Sequence, residues 1–148
     1  MASFDFPAPR LFLAQALYAR VTLALDESQQ NYLGNLLRLS EGDGVLIFNG
    51  RDGEWRARLA AVDRKRMSLV PETLARAQVP GGDLHYLFAP LKHARLDYMV
   101  QKAVEMGAGA LCPVITRRTQ ASRVNLERMR ANAIEADEQC GILALPEI

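Results

Sequence analysis

The sequence has no long apolar run. Near the middle of the chain, the longest stretch without a charged or strongly polar residue is 107–115, nine residues. A helix that crosses a bilayer needs roughly 20 apolar residues, so we expect no membrane-spanning segment and no membrane partner. The first residues also lack a basic segment followed by a long apolar one, and we therefore expect no secretory signal.

Cysteine and histidine are scarce as well. The chain offers Cys112, Cys140, His85 and His93, and the two cysteines form no CxxC pair. Structural zinc sites ordinarily use four such ligands in closely spaced pairs, so we expect no metal site. Two cysteines are also too few for a disulfide framework, and reduced thiols in a cytoplasm are the default, so we expect a cytoplasmic location.

Neither sign of charge is in excess over the whole chain. The 148 residues carry 18 basic and 17 acidic side chains, and 49% of them are hydrophobic, which excludes a disordered or collagen-like chain. Charge is uneven locally, because residues 51–66 have a net charge of +3 and residues 117–130 a net charge of +4. Arginine supplies most of it and suits bidentate phosphate contacts. An ordinary solvated surface is the alternative interpretation.

Short apolar runs separated by turn residues predict a small β-rich domain over residues 1–76. Five runs have the length of strands: 11–13, 21–25, 45–48, 55–62 and 67–70. One helix interrupts them, since Asp26 can cap it and Gln29 stands at the capping-box position. Asn49-Gly50 favours a type I′ hairpin turn. The pattern predicts a barrel of about five strands with one inserted helix.

A change of pattern after Pro71 indicates a second domain. Residues 72–83 are predicted to form a linker, and residues 77–148 then alternate between strand and helix. The predicted elements are a buried strand over 84–89, a helix to Met106, a strand over 110–115, a helix over 125–140 and a strand from Leu143. Gly107 and Gly141 are the stop signals of the two helices.

Alternating strands and helices are typical of a parallel α/β sheet. We therefore predict an α+β protein with two domains, a β-barrel over 1–76 and part of a parallel α/β domain over 77–148. Three strands bury little core, so we expect the sequence to be a piece of a larger protein. Lys92 and His93 follow the first strand of this domain, at the end where α/β sheets place ligands.

Motifs along the chain resemble one family, the bacterial small-subunit ribosomal RNA uridine N3-methyltransferases. The motifs similar to the family's N-terminal domain are Asn31-Tyr-Leu-Gly-Asn-Leu-Leu-Arg-Leu39, Gly42-Asp43 and Phe48-Asn-Gly50. Those similar to the start of its catalytic domain are Phe88-Ala-Pro-Leu-Lys92, Gln101-Lys-Ala-Val-Glu-Met-Gly107, Thr116 to Thr119, Glu138-Gln-Cys-Gly141 and Leu145-Pro-Glu-Ile148. They stand in the family's order. Two departures are Ile142, where arginine is expected, and Arg117, where an acidic residue is common.

The resemblance implies a PUA-like RNA-binding barrel followed by the first half of a SPOUT-class methyltransferase domain. It also implies methyl transfer from S-adenosylmethionine to N3 of a uridine, with ribosomal RNA or the small ribosomal subunit as partner and a homodimer as the full-length assembly. The family's Gly-Pro-Glu-Gly-Gly segment is absent from the sequence, so we predict no cofactor-binding residue in this chain and expect it to be inactive alone.

Two alternatives to an RNA methyltransferase remain. A non-enzymatic RNA-binding protein that keeps only the recognition domain would have the same sequence features. A nucleotide-binding α/β protein is a weaker alternative, because no glycine-rich turn follows the predicted strand over 84–89.

The family motifs and the arginine clusters together supply the candidate site residues. The candidate RNA-binding residues are Arg10, Arg38, Asn49, Arg51, Arg118 and Arg123. The residues matched to motifs around the active site are Lys92, Lys102, Glu105, Thr119, Glu138 and Gln139. Surface roles are the alternative, including an ion pair between Lys102 and Glu105, three positions apart. Loss of the uridine N3 proton requires a base or a polarising donor, and the sequence identifies no catalytic residue.

Overall fold

The computed structural model describes residues 8–119, 121 and 123–148. The chain folds as two compact units, Met1–Gln78 and Val79–Ile148, and the division predicted after residue 76 lies two residues before this boundary. Within the described ranges, no helix is long and apolar enough to cross a membrane. In the same ranges, no group of three or more His, Cys, Asp or Glu side chains is placed to hold a metal ion.

The first unit is built on a five-stranded sheet. Its strands are β1 (Arg10–Phe12), β2 (Leu23–Ala24), β3 (Gly44–Phe48), β4 (Glu54–Ala61) and β5 (Met67–Arg76). Their order in the sheet is β1-β3-β4-β5-β2, with β1 parallel to β3 and the other neighbours antiparallel. Every strand contributes to one core, in which the buried side chains include Leu11, Leu23, Ile47, Leu59 and Leu69. The five predicted strands are confirmed.

A helical segment connects β2 to β3, as predicted. Its first part, α1 (Glu27–Gln30), begins with the expected capping box. The Asp26 carboxylate accepts a hydrogen bond from the Gln29 N–H at 2.8 Å, and the Gln29 side-chain oxygen accepts one from the Asp26 N–H at 2.9 Å. These reciprocal bonds satisfy two donors that a helix start would otherwise leave unpaired.

The helix continues as a π-helical segment, Asn31–Leu36, which the sequence pattern did not predict. Its wider turn is closed by the Leu37 N–H, which donates to the Tyr32 carbonyl at 2.9 Å. Arg38 follows in the left-handed conformation, with φ 56°. This conformation is uncommon for a residue with a Cβ atom, and it turns the chain out of the helical region.

The end of the first unit differs from the sequence-based prediction. β5 does not stop near Pro71 but continues to Arg76, so residues 72–76, predicted to belong to a linker, are strand. The pairing with β4 changes register here, because Ala57 pairs with Pro71 and Arg56 with Thr73. Proline, which has no N–H to donate, is tolerated in a strand at such an irregularity.

The connection between β3 and β4 is also different from the predicted turn. Residues 49–53 form a five-residue loop, and Asn49 does not take the positive φ that a type I′ turn requires. Its side-chain oxygen instead accepts hydrogen bonds from the N–H groups of Arg51 and Asp52, at 3.0 and 2.8 Å. Gly50 and Gly53 supply the left-handed positions, with φ 81° and 82°.

The second unit combines two parallel strands with two helices. Its elements are β6 (His85–Phe88), α2 (His93–Glu105), β7 (Ala110–Pro113) and α3 (Leu126–Cys140). β6 and β7 pair in parallel. Asn125 caps α3 by accepting a hydrogen bond from the Arg128 N–H at 3.0 Å. Gly107 and Gly141 follow the two helices with φ 88° and 73°, so the predicted helix ends and the strand–helix alternation are confirmed.

Two predictions for this unit were wrong. β6 is not a buried strand: Phe88 is buried, but the three residues before it are exposed. Among the described residues no strand begins at Leu143: Leu143 is buried but lies in no strand, and a single parallel bridge joins Ala110 to Glu147. An apolar side chain can enter a core without its backbone joining a sheet, so the run of apolar residues was a misleading signal.

Candidate nucleic-acid interface

Arg10 is largely buried in an ion cluster within the first unit. Its Nε donates to one carboxylate oxygen of Glu54 at 2.6 Å, and Arg76 donates to the other at 2.8 Å. The Arg10 guanidinium carbon also lies 4.3 Å from the centre of the Phe48 ring. The side chain of Arg10 is 11% exposed and that of Glu54 is 3% exposed. A buried carboxylate therefore opposes the charge of Arg10.

The pKa of Glu54 follows from the same contacts. Burial raises the pKa, but the hydrogen bonds from Arg76 and Arg10, together with their positive charges, outweigh burial and hold the pKa below its ordinary value. Glu54 is thus charged at neutral pH, and the cluster carries two positive charges against one negative charge.

Arg38 is placed differently. Its residue is exposed, and no hydrogen bond or ion pair joins its side chain to another described residue. The left-handed backbone at Arg38 costs on the order of 1–3 kcal/mol, and such outliers are concentrated at functional positions. Of the two arginines that match the family in the barrel, Arg38 is therefore the one whose guanidinium is available to a phosphate.

Asn49 and Arg51 lie on the loop between β3 and β4. The Asn49 amide is buried and donates to the Gln15 carbonyl at 2.9 Å and to an Asp52 carboxylate oxygen at 2.6 Å. Because its side-chain oxygen also accepts hydrogen bonds within the loop, Asn49 stabilises the structure of the loop. Arg51 is exposed, and it donates to the Ala14 carbonyl at 3.0 Å while its Nε lies 3.6 Å from Asp52.

Arg118 and Thr119 belong to a turn after β7. The Thr119 hydroxyl oxygen accepts a hydrogen bond from the Thr116 N–H at 2.7 Å, and the Thr119 N–H donates to the Thr116 carbonyl at 3.1 Å. Arg118 is exposed on this turn. Thr119 therefore shapes the loop that presents Arg118.

Lys92 and Arg123 line one cavity of about 450 Å³ in the second unit. Lys92 precedes the first residue of α2, and Arg123 lies two residues before the cap of α3. Both side chains follow the carboxyl end of a parallel strand, the edge at which α/β sheets bind ligands. The structure therefore places Arg123, a predicted RNA-binding residue, and Lys92, a residue matched to the motifs around the active site, in the same cavity.

The other matched residues lie toward the opposite ends of α2 and α3. Lys102 donates to Glu105 at 2.7 Å, so the predicted ion pair is present, and its ammonium lies 5.5 Å from the centre of the Tyr98 ring. The hydrogen bond with Glu105 is the main cause that raises the pKa of Lys102. Glu138 and Gln139 stand in the last turn of α3. None of these four matched residues lines the cavity.

Sequence reasoning missed the polar network on the wall of the cavity. The Asp97 carboxylate accepts two hydrogen bonds from Arg128, at 3.1 and 2.6 Å, and one from Asn132 at 2.7 Å. The hydrogen bond from Arg128 is the main cause that lowers the pKa of Asp97. Asp97 and Arg128 are 31 positions apart, and no local spacing signals that they meet.

Two family models match the chain in the order of its two units. An RNA methyltransferase PUA domain matches residues 25–72, and an RNA methyltransferase domain matches residues 78–148. Together they cover 119 of the 148 residues. The chain therefore belongs to the family of RNA methyltransferases that join a PUA domain to a methyltransferase domain. The predicted α+β fold class, with a PUA-like β-domain before a parallel α/β domain, is confirmed.

Curated relatives and a solved structure are more specific. The chain is 31% identical over 130 residues to a Ribosomal RNA small subunit methyltransferase E from Rickettsia conorii, covering 88% of the chain and 53% of that protein. It is 30% identical over 143 residues to the protein of the same name from Synechocystis, covering 95% of the chain and 47% of that protein. The chain thus spans about half the length of these relatives.

The solved structure is that of a Ribosomal RNA small subunit methyltransferase E from Neisseria gonorrhoeae bound to S-adenosyl methionine. The similarity has a TM-score of 0.77 at 25% sequence identity, and it covers 95% of this chain and 61% of that one. The predicted resemblance to the small-subunit ribosomal RNA methyltransferases is confirmed by these comparisons.

Proposed function

We propose that this chain supplies the RNA-recognition domain and the first part of the catalytic domain of a small-subunit ribosomal RNA methyltransferase. The observation that carries the proposal is the match of both family models, in order, on two units that form the corresponding fold. S-adenosylmethionine is the proposed methyl donor and N3 of a uridine the proposed acceptor. Ribosomal RNA within the small subunit is the proposed partner, and a homodimer the proposed assembly of the full-length protein.

The charges on the described residues support contact with RNA in both units. Arg38 and Arg51 are exposed in the first unit, and Lys92, Arg118 and Arg123 are exposed in the second. Guanidinium and ammonium groups bind phosphates, and contacts of this kind supply much of the affinity for nucleic acids even where the total charge is small.

The cavity of the second unit does not fit the methyl donor. S-adenosylmethionine carries a sulfonium and an ammonium group against one carboxylate, whereas Lys92, Arg123 and Arg128 on the cavity wall face a single carboxylate, that of Asp97. Positive charge on both sides opposes binding. We therefore assign no methyl-transfer step to the residues of this cavity.

The chain alone is expected not to bind S-adenosylmethionine. Calorimetric titration of the purified 148-residue protein should show no saturable heat at micromolar concentrations of protein and cofactor. A stoichiometric micromolar isotherm would show that these residues include a cofactor pocket and that the proposed division of roles is wrong.

RNA recognition is tested by reversing the charge of Arg38. We expect Arg38→Glu to weaken binding to small-subunit ribosomal RNA fragments and to reduce the salt dependence of binding by about one phosphate contact. Filter binding over a range of salt concentrations measures both quantities.

Arg64→Glu is the charge-matched control, because Arg64 is exposed on the turn between β4 and β5. Arg76 could not serve as this control, because its side chain is paired with the buried carboxylate of Glu54. Equal weakening by the two changes would show a nonspecific effect of charge. No effect of either would remove the first unit from the RNA-binding surface.

A further inference from the structure

A cavity with both apolar and basic walls lies between α2 and α3. Its apolar lining consists of Leu91, Leu96, Val100, Ala121, Val124 and Met129. Its polar lining consists of Lys92, His93, Asp97, Arg123, Asn125, Arg128 and Asn132. The volume of about 450 Å³ lies within the range of small-molecule sites. It is much larger than an inorganic anion needs.

The charges on the wall are unbalanced. Asp97 is the only carboxylate among the described lining residues, and it is already held by Arg128 and Asn132. No ion pair with a described residue neutralises Lys92 or Arg123, and both residues are exposed. The cavity therefore has an excess of two positive charges, which favours an anionic ligand.

The positions of the helices add to this field. α2 begins at His93 and α3 at Leu126, so the N–H ends of both helices lie beside the cavity. The N-terminal ends of helices carry partial positive charge. His93 itself is held in a left-handed conformation, with φ 44°, directly after Lys92. This turn fixes the direction in which the chain enters α2.

The two kinds of wall require a ligand with two kinds of group. Lys92 and Arg123 suit a phosphate. Leu91, Leu96 and Val124, the large apolar lining residues that are not fully buried, suit a flat, weakly polar ring. A nucleotide has both groups on one small framework. We propose that this cavity binds one nucleotide of single-stranded RNA, with its phosphate held by Lys92 and Arg123 and its base against the apolar wall.

The identification of the ligand as RNA rests on the proposed function, whereas the fit to a nucleotide rests on the cavity. The direct test is a titration of the 15N-labelled chain followed by NMR, using uridine 5′-monophosphate, uridine and inorganic phosphate as separate ligands. Amide shifts are expected to be confined to residues 91–100, 121 and 123–132, which include every residue that lines the cavity. The monophosphate should bind about tenfold or more tightly than uridine or phosphate alone, because each of these lacks one of the two contacts.

Two variants make the test specific. Lys92→Gln combined with Arg123→Gln is expected to weaken binding of the monophosphate by about tenfold or more. Arg95→Gln is the matched control, since Arg95 is exposed in the first turn of α2 but does not line the cavity, and it should change the affinity less than about twofold. Unchanged amide spectra outside the cavity establish that the variants are folded.

Three results would overturn the proposal: equal affinity for uridine and its monophosphate, shifts outside the cavity, or equal binding by wild type and the double variant. Filter binding to a ribosomal RNA fragment separates this failure from failure of the proposed function. If wild type binds the fragment and the double variant binds it equally well, the cavity is not an RNA subsite although RNA recognition stands. If wild type does not bind the fragment, the proposed function fails.

Discussion

Arginines of the first unit differ according to what their guanidinium groups contact. Arg10 and Arg76 hold the buried carboxylate of Glu54, whereas Arg58 pairs with Glu72 in exposed surroundings. An exposed pair contributes little to stability, but breaking a buried one leaves a charge without compensation. We therefore expect Arg10 to contribute to the stability of the first unit. Its contact with RNA remains a prediction.

Glu54→Gln is expected to lower the free energy of unfolding of the first unit by about 3–5 kcal/mol. Two guanidinium groups lose the charge that holds them inside the sheet. Urea unfolding followed by the fluorescence of Trp55, the single tryptophan of the chain, measures the loss.

The control for this change is Glu72→Gln. The Arg58–Glu72 pair is as short, at 2.7 Å, but it is exposed, so the free energy of unfolding should change by less than about 1 kcal/mol. Equal losses from the two variants would contradict the importance of burial at Glu54.

The Glu54→Gln variant also carries a prediction about the pH dependence of stability. Because the pKa of Glu54 is lowered in the folded state, its charged form stabilises the protein fully above the ordinary pKa of about 4.5. That stabilisation is lost as the pH falls through the lowered pKa. The difference in stability between wild type and Glu54→Gln should therefore stay constant at pH values well above about 4.5 and narrow progressively as the pH falls below it. A difference in urea midpoints that stays constant below that pH would show that the charge of Glu54 is not the cause.

At the scale of elements, the helical segment of the first unit has a regular start and an irregular end. The capping box of Asp26 and Gln29 forms as the sequence predicts. The π-helical turn follows, and Arg38 lies just after it, at the opposite end of the helical segment from the cap. π-helical turns are rare in proteins, and those that occur are often found at functional sites. This agrees with the proposed contact of Arg38 with phosphate.

Asp26→Ala is expected to destabilise the first unit by about 1 kcal/mol, since it removes the side-chain acceptor of the capping box. Thermal unfolding followed by the fluorescence of Trp55 measures the effect. Glu41→Ala, which removes an exposed carboxylate outside the helix, is the control and should stay within about 0.5 kcal/mol of wild type. An equal loss from both changes would indicate that net charge, not capping, is responsible.

In the second unit, one residue joins two elements. Asp97 of α2 contacts Arg128 and Asn132 of α3, which holds the beginnings of the two helices side by side. The backbone N–H of Arg128 also donates to the side chain of Asn125, which caps α3. The cavity wall is therefore set by a contact between helices, on which the further inference about Lys92 and Arg123 depends.

At the scale of the molecule, the two units are expected to differ in resistance to protease. Trypsin should cut first after Arg117 or Arg118, which are exposed and lie outside helices and strands. Arg76 should be protected, because it ends β5 and is hydrogen-bonded to the buried Glu54. Mass spectrometry of early fragments identifies the sites.

The variant with Arg117→Gln and Arg118→Gln should then be cut more slowly in this region. First cleavage at Arg76, or within β4, would contradict the stability expected of the β5 end and of the sheet. Cleavage of wild type and variant at equal rates would show that another site is more open.

Features that depend on neighbours a few residues away were predicted from the sequence. The cap at Asp26, the glycine after each long helix and the Lys102–Glu105 pair all involve contacts within one helical turn or its end. Most strands and helices of both units followed from such local patterns, and the family followed from motif order. The π-helical segment and the extension of β5 to Arg76 did not. Local chemistry determines the predicted features because the interacting groups are already close along the chain.

Contacts between distant segments could not be predicted. Arg10 and Glu54 are 44 positions apart, and Asp97 and Arg128 are 31 apart. Whether an arginine is buried against a carboxylate, as Arg10 is, or free to meet a phosphate, as Arg38 is, depends on which segments pack around it. The cavity beside Lys92 likewise exists only because α2 and α3 begin next to each other. Sequence spacing carries the identity of these groups, but folding sets the distances and burial that decide their chemistry.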